Sequence, residues 1–109
     1  MKVSELIQKL NLDVVTKKDY EDRDVTGCYI GDLLSHVMGK AQEGDVWITI
    51  MNNINIVAVA SLTEAASIIL CESVSVDEKI IEKADSEGIV ILKSNLSAYQ
   101  LAAEISKVL

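Results

Sequence analysis

Two rhythms of apolar residues alternate along the chain. Val3, Leu6, Ile7 and Leu10 recur at spacings of three and four, which predicts one face of a helix. Ser4 is its candidate N-cap and Asn11 its candidate end. Leu12 to Val15 reads as a short apolar strand, and Lys17 to Asp24 as a charged, solvated loop. Val25 to Ile30 alternates weakly and is rich in β-forming residues, so a strand is expected there. Gly31-Asp32 then opens a helix with Leu33, Leu34, Val37 and Met38 on one face, and Gly39 is placed to stop it. After the Gly44-Asp45 turn, Val46, Ile48 and Ile50 alternate with Trp47 and Thr49, the period-two pattern of a strand.

Residues 53–66 obey neither rhythm. Residue types over Ile54 to Ala60 favour a strand, but topology favours a helix. Ser67-Ile68-Ile69-Leu70-Cys71 is a buried strand, and joining it in parallel to Val46–Ile50 needs a crossover, which helices usually make. A helix over about Asn53 to Ala65 is therefore expected. Asp77 caps a further helix with Ile80, Ile81 and Ala84 inward and Gly88 at its end. Ile89 to Leu92 is a buried strand, and Ser97 caps a last helix carrying Leu101, Ala102, Ile105 and Leu109. The repeating order of strand and helix predicts one α/β domain over residues 1–109, a mostly parallel sheet with helices on both faces.

Composition narrows this. The 109 residues contain neither Phe nor Pro, so the core must come from Ile, Val, Leu and Ala, with Trp47, Tyr20, Tyr29 and Tyr99 as the aromatics. A net charge of −7 argues against nucleic acid and anionic membranes, both of which call for a basic face. The longest apolar stretch, about Ile54 to Ala60, is far short of the roughly 20 residues of a membrane span. The stretch Met1-Lys2-Val3-Ser4-Glu5 has no signal-peptide h-region, and a cytoplasmic location is expected. Cys28 and Cys71 lie far apart in apolar surroundings and are expected to be reduced and buried. A disulfide or redox pair is the alternative.

The single arginine, Arg23, stands in Asp22-Arg23-Asp24-Val25-Thr26-Gly27-Cys28-Tyr29; every other formal positive charge is a lysine. Its planar fork of donors implies a fixed partner. The sequence leaves three open: a structural partner in Asp22, Asp24 or a helix C-terminus, a neighbouring subunit, or an anionic ligand.

These residues carry a family resemblance. Asp22-Arg23 followed by Val25-Thr26-Gly27, then Gly44-Asp45-Val46-Trp47-Ile48-Thr49, the strand Ser67–Cys71, and Gly88-Ile89-Val90-Ile91-Leu92-Lys93-Ser94 leading into the final helix resemble the DRTGG domain over nearly the whole chain. The resemblance implies a three-layer α/β/α sandwich similar to the N-terminal domain of bacterial HPr kinase/phosphorylase. Similar domains accompany CBS domains in regulatory inorganic pyrophosphatases and form a segment of long phosphotransacetylases. It further implies a non-catalytic regulatory or dimer-forming module. No kinase activity follows, because the chain lacks the Gly-x-x-x-x-Gly-Lys-Ser/Thr loop that cradles phosphates. Two departures stand out. Asp24-Val25 separates Asp-Arg from Thr-Gly, with Cys28 in place of a second glycine. Cys71-Glu72-Ser73 replaces a Thr-Gly-Gly-like turn, and a carboxylate there repels phosphate.

Candidate sites follow from the topology. Ligands of open parallel sheets bind beyond the carboxyl ends of the strands. That places Asn52, Asn53, Ser73, Lys93, Ser94, Asn95 and Ser97 at a site for a small anionic metabolite or nucleotide. The plain alternative is an ordinary polar loop with Ser97 as an N-cap. The first reading is a homodimeric regulatory module, docking on an enzyme or binding a small metabolite, with Arg23 and Trp47 as candidate interface residues. For Trp47 the alternative is a second packed face of the sheet. His36 and Asp32, four apart on one predicted helix, are too few ligands for a metal. No cofactor, metal or catalytic residue is expected.

Overall fold

The computed structural model describes residues 1–109. The elements are α1 (Val3–Leu10), β1 (Asp13–Val14), β2 (Gly27–Ile30), α2 (Leu34–Lys40), β3 (Asp45–Thr49), α3 (Asn55–Thr63), β4 (Ser67–Leu70), α4 (Glu78–Glu87), β5 (Ile91–Lys93) and α5 (Ala98–Val108). The five strands form one sheet in the order β1-β5-β4-β3-β2. β2 to β5 are mutually parallel, and β1 runs antiparallel along β5 with Asp13 opposite Lys93.

This order fixes the layers. From β2 to β5 each strand lies beside the one before it and the sheet grows in one direction. Crossovers of one hand then put every connecting helix on the same face. Thus α2, α3 and α4 bury Val37, Ile56, Val57, Ala60, Ile80 and Ala84 against Trp47, Ile68, Leu70 and Ile91. The opposite layer comes from the first and last helices: α1 and α5 set Val3, Leu6, Leu101 and Ile105 against Val46, Ile48, Ile69 and Leu92. Alternate residues of β3, β4 and β5 therefore serve opposite cores, as a pleat requires. The result is the expected three-layer α/β/α sandwich with a mostly parallel sheet.

Residues 53–66 resolve as topology demands, with α3 bridging β3 and β4. The cap predictions divide. Asp77 accepts the Ile80 N–H at 3.1 Å, and Ser97 and Gln100 cap α5 reciprocally. Asn11 ends α1 in the left-handed region at φ 53°. Three expectations are corrected. Ser4 lies inside α1, whose flanking residue is Lys2. Leu33, not Asp32, precedes α2, because the Asp32 carboxylate accepts the Thr49 hydroxyl at 2.8 Å and the Ile50 N–H at 3.0 Å. Gly39 does not stop α2, which continues to Lys40; a single solvent-facing glycine is tolerated within a helix at about 1 kcal/mol. No helix is long and apolar enough to cross a membrane.

Candidate functional site

The motif loop is built onto the first turn of α1. Asp22 accepts the Ser4 N–H at 2.8 Å and the Ser4 hydroxyl at 2.5 Å. Those bonds from Ser4 hold its carboxyl below the usual range. Around it, the Val3 N–H donates to the Arg23 carbonyl at 3.0 Å and the Val25 N–H to the Met1 carbonyl at 2.7 Å. Lys2 pairs with Asp24 at 3.2 Å. A helix start leaves N–H groups without partners, and Asp22 with Arg23 supplies them from a distant loop. The two residues inserted into the motif have opposite fates: Asp24 faces solvent, whereas Val25 is buried under the α1 and α5 layer.

Arg23 reaches the far end of α3. Its Nη1 donates to the Ala65 carbonyl at 3.4 Å, and its Nε lies 3.9 Å from Glu21. Ala65 lies two residues beyond the end of α3, so the partners that Arg23 finds in this chain are a backbone carbonyl after the helix and, more distantly, Glu21, and neither Asp22 nor Asp24. Thr26 and Gly27 answer a packing demand. The Thr26 N–H donates to the Gly44 carbonyl at 3.0 Å, and its hydroxyl to the Glu43 carbonyl at 3.3 Å. Gly44 has φ +87°, and a β-carbon on it would strike the Thr26 hydroxyl. A β-carbon on Gly27 would strike the Asp45 carboxylate, which accepts the Gln42 N–H at 2.8 Å. The two Gly-containing motifs of the sequence are thus two sides of one contact.

At the carboxyl ends of the strands, the chain leaves β4 toward the α4 face and β5 toward the α5 face. Diverging connections of this kind open the crevice used by open α/β sheets. Here hydrogen bonds close it. The Glu72 N–H donates to the Leu96 carbonyl at 2.8 Å, the Ser73 N–H to the Ser94 carbonyl at 3.1 Å, and the Ser73 hydroxyl to Asn95 Oδ1 at 2.8 Å. Ser94 Oγ accepts the Leu96 N–H at 3.1 Å. Glu72 and Ser73 both adopt left-handed backbone, φ 56° and 59°, where glycine is the usual residue. Asn52 donates to the Ser75 carbonyl at 2.9 Å, and Asn53 Oδ1 accepts the Asn55 N–H at 2.9 Å. Ser97 caps α5, and Lys93 is half-buried beside β1. Of the seven residues predicted to bind an anion, Ser73, Ser94 and Asn95 are brought together, while Asn52, Asn53 and Ser97 are each engaged with their own surroundings.

Both cavities open at the opposite edge of the sheet, around Arg23. One of about 740 Å³ includes Lys2, Arg23, Thr26, Glu43, Glu64 and Glu87 in its wall. The other, about 340 Å³, includes Lys17, Tyr20, Arg23, Asp85 and Gly88. Carboxylates outnumber cations in the first, so its field disfavours an anion. No cluster of His, Cys, Asp and Glu is placed to hold a metal ion.

One further residue differs from expectation, and two follow their plainer readings. Cys28 is exposed on β2, an edge strand with no neighbour on its outer side; Cys71 is buried as expected. Loss of solvation, and then the nearby Asp45 charge, push the Cys28 thiol up to about 11. Trp47 is completely buried, and its Nε1 donates to the Gly31 carbonyl at 2.8 Å. It is the second packed face of the sheet and presents nothing to a partner. His36 is exposed, and the Asp32 carboxylate serves β3 rather than His36.

The fold and the paired Thr26-Gly27 and Gly44-Asp45 contacts define an α/β domain whose signature loop is a structural clasp. The DRTGG domain pattern matches residues 5–108, and the chain belongs to the DRTGG domain family. No curated protein sequence matches the chain. Among solved structures, it is similar to the CBS and DRTGG domains of the regulatory region of Clostridium perfringens pyrophosphatase, complexed with the activator diadenosine tetraphosphate. The TM-score is 0.74 at 13% identity, over 98% of this chain and 46% of that one. At that identity the likeness is one of fold.

Proposed function

We propose that this chain is a non-catalytic regulatory module that works through protein contacts, as a homodimer and by docking on a metabolic enzyme. The observation that carries the reading is the amount of uncovered apolar surface. Ile30, Leu33, Met38, Ile50, Ile54 and Leu62 are between 43 and 69% exposed. Large apolar side chains left in water are where docking against another protein's apolar surface gains most. Supporting it, Ser73 and Asn95 of the candidate ligand site are bonded to each other, and the same fold occurs in a pyrophosphatase's regulatory region. Light scattering over a concentration series tests the homodimer; a chain that stays monomeric throughout removes it.

The solved relative favours a second reading, because its regulatory region is complexed with a nucleotide activator. In that reading a nucleotide or other small anion opens the bonded edge at Ser73, Ser94 and Asn95, with Lys93 nearby. Diadenosine tetraphosphate is the probe. At 100 times Kd it would add about 2.7 kcal/mol, roughly 10–20 °C in Tm for a domain of this size. No shift rejects diadenosine tetraphosphate as the ligand.

A further inference from the structure

We infer that the outer edge of β2 receives an extended segment of a partner protein, flanked by lysine or arginine, which adds to the five-stranded sheet as a further strand. The inference rests on the docking reading above and assigns it a surface.

The two edges of the sheet are built differently. β1 is two residues long and carries Asp13, and the Lys18 ammonium donates to its Val14 carbonyl at 2.7 Å. Shortness, charge and a lysine are the usual ways of closing an edge against stray strands. β2 has none of them. It spans four residues, Gly27-Cys28-Tyr29-Ile30, without charge or proline. No bulge interrupts it, since its register with β3 runs unbroken from Gly27 opposite Asp45 to Ile30 opposite Ile48. No turn or loop backbone group bonds to these four residues, and β3 is their one strand neighbour.

Geometry selects an extended backbone as the occupant. The Gly31 N–H donates to the Ile48 carbonyl at 3.2 Å. Peptide groups alternate in direction along a strand. Tyr29, two residues earlier, therefore also faces β3, while Cys28 and Ile30 turn their N–H and C=O groups outward. Those groups match the main chain of an added strand, the source of affinity in strand addition. Side chains alternate as well. Cys28 and Ile30, opposite Val46 and Ile48, lie on the α1 and α5 face, and both are exposed, Ile30 by 46%. Apolar side chains at every second position of the incoming segment cover them. Charge sets the flanks. From Asp24 to Leu33 the chain carries two aspartates and no cation, and Asp45 adds a carboxylate beside Gly27. Lys2 pairs with Asp24. A chain of net charge −7 favours a basic segment and repels an acidic one or a second copy.

The test uses the full chain and a synthetic peptide of alternating valine and threonine with lysines at both ends, read by amide NMR and amide exchange. The peptide should slow exchange at Cys28 and Ile30, whose N–H groups gain partners, and change Tyr29 little. Binding should weaken with added salt, and the same peptide with glutamates for lysines should not bind. Cys28→Pro removes one outward donor and leaves the β3 ladder intact, as proline on an edge does. Tm should hold while binding is lost. Cys28→Lys places a charge at an exposed position and should weaken binding severalfold with the fold unchanged. Protection that survives both variants overturns the edge. Shifts at Leu33 and Leu62 without protection at Cys28 and Ile30 overturn the edge but leave docking on the apolar surface standing. Protection that needs no peptide and rises with protein concentration gives the edge to a second copy and overturns the partner segment. No change at any amide overturns strand addition and removes its support from the docking reading.

Discussion

Asp22 caps a helix whose Ser4 lies eighteen residues before it, accepting both the Ser4 N–H at 2.8 Å and the Ser4 hydroxyl. The first residue of the family signature is thus a helix cap contributed by tertiary structure. Asp22→Ala should cost about 1 kcal/mol, as loss of a cap does, and lower Tm by about 4–8 °C. Its carboxyl is held below the ordinary value by Ser4. A depressed carboxyl contributes stability above the unfolded pKa, near 4, and that contribution is lost as pH falls through the folded value. Urea midpoints at a series of pH values should show wild type and variant converging below about pH 4. A gap that stays constant to lower pH would mean that the charge of Asp22 is irrelevant.

Gly27→Ala should destabilise by about 1–3 kcal/mol, the range for forcing atoms into a packed contact, because the new methyl meets the Asp45 carboxylate. Asp45→Ala removes the obstacle. In an Asp45→Ala background the penalty of Gly27→Ala should largely vanish, and a thermodynamic cycle of the four proteins reads this directly. Equal penalties in both backgrounds would refute the steric account.

Glu72 and Ser73 hold left-handed backbone without being glycine. Glu72→Gly relieves that strain, offset in part by the looser unfolded chain of glycine. A net gain of up to about 1 kcal/mol is expected, and a thermal melt measures it. Ser73→Gly should gain less, since it also removes the hydroxyl bonded to Asn95. A Glu72→Gly protein less stable than wild type would show that the turn is not strained.

Cys28 is exposed but should be sluggish. With its thiol pushed up to about 11, roughly a thousandth is thiolate at pH 8, and the thiolate is the reactive form. Iodoacetamide labelling should be slower than for an unstructured cysteine and accelerate up to about pH 11. Asp45→Asn should lower the midpoint, since the Asp45 charge is one of its causes.

The sequence was most informative where structure is local. Asp77, Ser97 and Asn11 act at helix ends as their residue types indicate, and the alternation of Val46, Trp47 and Ile48 divides between the two cores. Residues 55–63 needed an argument from topology, because a helix without charge on any side has no periodic signature. What stayed illegible depends on partners distant in sequence. Asp32 has the residue type of an N-cap, yet Thr49 and Ile50 claim its carboxylate. Cys28 sits among apolar neighbours and still faces outward, because strand order makes β2 an edge. Of the seven strand-end residues that topology grouped, only Ser73, Ser94 and Asn95 meet. Nothing in their identities indicated that they bond to each other.

The unreversed succession from β2 to β5 has a kinetic corollary. Each of these strands closes a short loop onto the one before it, so this part of the sheet can zip up through local steps. The first sixteen residues have no such route. Thr16 must meet Ile91 across 75 residues, and β1 has only β5 to pair with. The amino-terminal segment should therefore attach last and detach first, as a separate cooperative unit. Its departure would strip Asp22 of its helix and free the motif loop. Amide exchange should register this as protection lost together at Val3, Ser4 and Val25, while Ile48 and Ile69 remain protected.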